Sequence, residues 1–165
     1  MRVANDREPS VPSLHSSGCS YVDVSIYVDA VDGARVVAWL QGSLNLKDNG
    51  PCLAVGPLCV SGEYNGYATG RRAHPFAFLE WPTVLECEAS AGAPADVVQA
   101  VAAVLEALWR GGFKAVAACD FEDELPARGG ADRYPFPPAS GRSPASTCSW
   151  WRNLISPGKR RSGIL

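Results

Sequence analysis

Four carboxylates fall within five positions at Asp120-Phe121-Glu122-Asp123-Glu124, directly after the apolar run Ala115-Val116-Ala117-Ala118-Cys119. A second pair, Glu86 and Glu88, is spaced by one residue, so on a strand both side chains project to the same side. Clustered carboxylates can do three kinds of chemistry. They can bind a hard divalent cation through oxygen. They can share a proton and act as acid and base. They can also present a negative field that steers a basic protein. The 120–124 segment lacks the ligand positions and the glycine of an EF-hand loop, and a Glu-x-Glu spacing specifies no metal.

Other chemistries find little support. There is no G-x-S-x-G nucleophile elbow. The glycines from Gly62 to Gly70 are not followed by the Lys-Ser/Thr of a phosphate-binding loop. The two histidines are His15 and His74, and His74 lies in a Pro-flanked loop segment. The six cysteines (19, 52, 59, 87, 119 and 148) form no C-x-x-C pair, so no zinc site is expected. Cys119 stands beside Asp120, and a neighbouring carboxylate disfavours the thiolate. No catalytic residue and no cofactor are expected.

Charge is segregated along the chain. Residues 21–127 carry fourteen Asp/Glu and six Lys/Arg, a formal −8, whereas residues 128–165 carry seven Lys/Arg and one Asp, a formal +6. A strongly acidic core repels phosphate, so nucleic-acid binding by the core is not expected. The basic clusters, Arg71-Arg72 and Lys159-Arg160-Arg161, read as solvated charge. No apolar stretch reaches the ~18 residues of a membrane span. The first twenty residues hold no apolar run of seven or more, which implies no secretory leader and a cytoplasmic location. In that setting all six cysteines are expected to be buried, reduced thiols.

The elements that must position the carboxylates follow from periodicity. Val22, Val24, Ile26 and Val28 alternate with Asp23, Ser25, Tyr27 and Asp29, which predicts a strand with one buried and one polar face. Residues 32–44 fit two readings. One is an Asp-Gly hairpin turn into a strand. The other, preferred, is a helix capped by Asp32 with Val36, Val37, Leu40 and Leu44 on one side. Residues 52–62 read as one strand, interrupted by Pro57 and therefore at a sheet edge. Phe76–Ala89 reads as the next strand, with Leu85, Cys87 and Ala89 on one side and Val84, Glu86 and Glu88 on the other. Pro94–Arg110 is a strongly amphipathic helix closed by Gly111-Gly112, and Phe113–Phe121 is the last strand.

With the helical reading of 32–44, the order is two β-α-β units in tandem. This predicts an α+β, ferredoxin-like βαββαβ domain, with two helices on one face of a four-stranded antiparallel sheet. In it Cys87 and Cys119 lie two strands apart, too far for a disulfide. The other sheet face is expected to be open, collecting Asp23, Ser25, Tyr27, Glu86, Glu88 and Asp120, with Tyr27 its only clear aromatic. Residues 1–20 are expected to be a disordered lead. Residues 21–127 form the domain. Residues 128–165, rich in Pro, Ser and Arg, form a poorly ordered basic tail, with Cys148–Ile155 able to dock as a short helix.

Residues 21–127 resemble a small uncharacterised bacterial α+β family. The likeness is carried by Tyr21-Val22-Asp23-Val24, Phe78-Leu79-Glu80-Trp81-Pro82, Leu85-Glu86-Cys87-Glu88, and Leu105–Trp109 leading into Cys119-Asp120-Phe121-Glu122-Asp123-Glu124-Leu125-Pro126. The resemblance implies no activity. The functional expectation is a non-catalytic, acidic protein-interaction module of immunity or inhibitor type. It would receive a basic partner on Asp120, Glu122, Asp123 and Glu124 together with Glu86 and Glu88. Tyr27, Trp81 and Tyr67 would serve as aromatic anchors. The alternative is a dimeric regulatory module binding a small ligand or a divalent metal.

Overall fold

A computed structural model describes residues 15–16, 19–47, 50–68 and 77–134. The Arg71-Arg72 segment, His74, the Lys159–Arg161 run and residues 148–155, on which expectations were stated above, lie outside them. The described chain runs β1 (His15–Ser16), β2 (Cys19–Ser20), β3 (Asp23–Val28), α1 (Gly33–Ser43), β4 (Leu53–Val55), β5 (Leu58–Tyr64), β6 (Thr83–Ala89), α2 (Pro94–Arg110) and β7 (Ala115–Ala118). It is an α+β fold. Strands β4-β5-β6-β3-β7 form one antiparallel sheet, and β1 and β2 pair as a separate small hairpin.

The sheet has five strands, not the four expected. The segment 52–62 is not one strand broken by proline but a hairpin. Leu53, Ala54 and Val55 pair with Val60, Cys59 and Leu58, leaving Gly56-Pro57 as a two-residue loop. Gly56 takes φ 56°, the positive value wanted at the first central position of such a turn. Pro57 therefore sits where no ladder hydrogen bond is required. β4, rather than β5, forms the edge of the sheet.

Residues 33–43 are helical. The Asp32 carboxylate accepts from the Arg35 backbone N–H at 3.0 Å, which satisfies one of the free donors of the first turn. Val36 and Leu40, four apart, are buried against the sheet. α2 has the predicted limits, and Val97, Val101, Val104, Leu105 and Leu108 form its buried stripe. The helices join through Trp39, whose indole N–H donates to the Ala107 carbonyl at 3.0 Å. Gly111 allows this contact, because a Cβ there would lie 2.5 Å from the indole ring.

Both helices pack on one face of the sheet. The main core joins Val24, Ile26, Val28, Leu53, Val55, Leu58, Val60, Leu85, Cys87, Ala115, Ala117 and Cys119 to the helix stripes. Cys87 and Cys119 are both buried and neither is joined in a disulfide, as the topology required. Burial pushes the Cys87 thiol up to about 12 and the Cys119 thiol higher still, so neither is a nucleophile at neutral pH.

Two further expectations are corrected, and two flanking segments take structure. Cys52 and Cys59 form a disulfide with Cα atoms 5.5 Å apart, because the hairpin brings them into diagonal register. Not every cysteine is therefore a reduced thiol. Residues 77–80 form a helical turn rather than strand, and the strand begins only at Thr83, after Pro82. The lead 1–20 contains the paired β1 and β2. Residues 128–134 pack on the sheet, with Gly129 and Gly130 buried and Tyr134 joined to an aromatic cluster.

Candidate functional site

The acidic segment after β7 turns inward. Asp120 and Glu122 are each only 6% exposed. An Asp120 carboxylate oxygen accepts from the Ser20 backbone N–H at 3.0 Å. The Tyr21 hydroxyl donates to Glu124 at 2.6 Å, and the Tyr21 ring stacks on Phe121 at 4.8 Å between centroids. These contacts latch the entry to β3 onto the exit from β7, about a hundred residues apart in sequence. Asp123 and Glu124 are exposed. Two of the six sequence-predicted partner residues are thus inside the protein.

Glu86 and Glu88 are exposed on the sheet face away from the helices. The registers place them in rows. Across the first row lie Cys59, Glu88 and Asp23. The second holds Ser61, Glu86, Ser25 and Ala118, and the third Glu63, Val84, Tyr27 and Val116. The Ser25 hydroxyl donates to Glu86 at 2.8 Å. Asp23 and Glu88 directly face each other, a like-charge pairing that costs a sheet stability. Asp23, Glu63, Glu86 and Glu88 are all exposed. No Lys or Arg occurs in any of the five strands. Glu63 joins this group because β5 runs on to Tyr64. Its parity with Cys59 and Ser61 was the available signal, hidden by ending the strand at residue 62.

The other half of this face is not open. Tyr27, Val84, Val116, Ala118 and Trp81 form a second buried cluster, flanked by Phe78, Leu79 and Tyr134. Aromatic rings link edge to face from Tyr27 to Phe78 at 5.7 Å, Phe78 to Trp81 at 6.4 Å, and Trp81 to Tyr134 at 5.5 Å. Asn65 positions this cover. Its side-chain amide donates to the Leu79 and Trp81 carbonyls, both at 2.7 Å, and its oxygen accepts from the Tyr67 N–H at 3.0 Å. Of the three expected anchors, Trp81 and Tyr27 are buried, and Tyr67 is 72% exposed. Burial first, then the Glu86 carboxylate, raises the Tyr27 pKa, so the phenol stays protonated beside the carboxylate rows.

Among the described residues, no three His, Cys, Asp or Glu side chains are placed to hold a metal ion. A shallow, open cleft of about 330 Å³ lies at the end of α2, lined by Glu106, Trp109, Arg110 and Arg133. The Arg133 guanidinium covers the Trp109 ring at 4.5 Å, so the aromatic surface there already has its cation. Comparison with known protein families, curated proteins and solved structures gives no match. Among the described residues no helix is long and apolar enough to cross a membrane.

Proposed function

We propose that this chain is a non-catalytic interaction module that receives a basic protein partner on the carboxylate rows of its sheet, in the manner of small immunity or inhibitor proteins. One observation carries the reading. Four exposed carboxylates, Asp23, Glu63, Glu86 and Glu88, share one sheet face whose five strands contain no Lys or Arg. A face that tolerates Asp23 directly against Glu88 gains most when a cation arrives between them. The exposed Tyr67 supplies apolar contact and cation–π area near the charges. Asp123 and Glu124 extend the negative field near the latch, and Asp120 and Glu122 act in the fold instead.

The framework is read as ferredoxin-like with one added edge strand. The succession β3-α1-β5-β6-α2-β7 and the spatial order β5-β6-β3-β7 support that reading. The cytoplasmic setting expected from the sequence and the Cys52–Cys59 bridge pull in opposite directions, since disulfides persist in oxidising compartments. Alkylation of freshly isolated protein before and after reduction decides between them.

The binding test uses a fluorescein-labelled basic peptide (ten alternating Arg and Gly) as probe, followed by anisotropy at 50 and 300 mM salt. Binding should weaken at least tenfold in D23N/E63Q/E86Q/E88Q and fall steeply with salt in the native protein. Equal binding by the native and substituted proteins would sink the reading.

A further inference from the structure

The same sheet face has a candidate occupant in its own chain. Tyr134, the last described residue, packs against Trp81 on this face rather than leaving from the helix side. The residues that follow, 135–165, carry five Lys/Arg (Arg142, Arg152, Lys159, Arg160 and Arg161) and no Asp or Glu. They also carry the adjacent Trp150 and Trp151. The carboxylate rows begin where the aromatic cover ends. From the Tyr27 row to the Asp23 row is four residues along the strand, roughly 13 Å. Seven residues separate Tyr134 from Arg142, and an extended chain of that length reaches about 25 Å. The first tail arginine can therefore reach Glu86 and Glu88 without displacing Tyr134.

We propose that the basic segment 135–165 docks on the Asp23, Glu63, Glu86 and Glu88 rows and competes there with an external basic partner, as an autoinhibitory contact. The inference rests on the reading of this face as a surface for basic ligands. It adds the identity of the resident occupant. Tethering favours that occupant, because a segment joined within a few nanometres of its site has an effective concentration in the millimolar range. A partner must then exceed the tail in charge, or in contact with Tyr67, to displace it.

The test keeps the full chain. Trypsin cleavage after Arg142 and Arg152 is timed by mass spectrometry for the native protein and for D23N/E63Q/E86Q/E88Q, at 50 and 500 mM salt. The native tail should be cut at least fivefold more slowly than that of the variant at 50 mM, and at the same rate at 500 mM. Equal rates at 50 mM would overturn the docking. The anisotropy probe is then applied to R142Q/R152Q/K159Q/R160Q/R161Q, which should bind at least fivefold more tightly than the native chain. If the native chain and this tail variant bind alike while the face variant loses binding, the partner surface stands and the tail contact falls. If the tail is protected but the probe never binds, the tail contact stands and the partner reading falls.

Discussion

The protein carries two groups of carboxylates that look alike in sequence and are used in opposite ways. The run from Asp120 to Glu124 is the denser. Its members Asp120 and Glu122 are buried, and Asp120 and Glu124 are hydrogen-bonded to Ser20 and Tyr21. The sparser set, Asp23, Glu63, Glu86 and Glu88, comes from three strands and stays in solvent. Local charge density therefore does not identify the outward surface. A carboxylate following a buried strand meets backbone donors from the neighbouring chain entry. One in mid-strand, on the face opposite the helices, meets only the neighbours that register assigns it.

Substitutions separate the two groups, and the largest effect is expected behind the latch. Gly130→Ala would place a Cβ 2.5 Å from the Ala115 carbonyl oxygen at φ 99°. A loss of about 3 kcal/mol or more is expected from overpacking and a backbone region closed to alanine, measured by urea unfolding. Asp120→Ala removes a buried charged acceptor from the Ser20 N–H, and about 2 kcal/mol should go with it. Tyr21→Phe keeps the stack on Phe121 and loses only the hydroxyl bond to Glu124, so the same assay should register about 1 kcal/mol. Glu88→Gln stands at the other extreme. Relieving its repulsion with Asp23 should stabilise the fold by a few tenths of a kcal/mol at low salt, roughly the size of a cross-strand pair, and by less at 1 M salt. If Glu88→Gln destabilised the protein as much as Asp120→Ala, the distinction between inward and outward groups would be lost.

Much of the framework was legible because each part rested on strong periodicity. The stripe from Val97 to Leu108 and the alternation from Val22 to Val28 each admit one reading. The parity of Glu86 and Glu88 also placed them on the correct face. What sequence could not convey was depth and cover. Pro57 looked like a strand breaker because nothing local says that Gly56 turns the chain ahead of it. Trp81 looked like an anchor because its burial depends on Asn65 and Tyr134, which approach it from sixteen residues before and fifty-three after. The fate of Asp120 hinged on Ser20, a hundred residues away. Glu63 was missed through a strand boundary, the least determinable property of a short strand.

The segment after residue 127 has a consequence for how the chain is handled before it is complete. The Ala115 and Ala117 carbonyls of β7 face Gly130 and Gly129, and the Trp109 indole N–H donates to Ala115 at 3.1 Å. Those carbonyls lie on the side of β7 away from β3. Without residues 128–134 the outer edge of β7 is uncovered, and its Ala117 carbonyl is open to any passing extended peptide. A chain cut at residue 127 keeps every strand of the sheet yet should associate through β7.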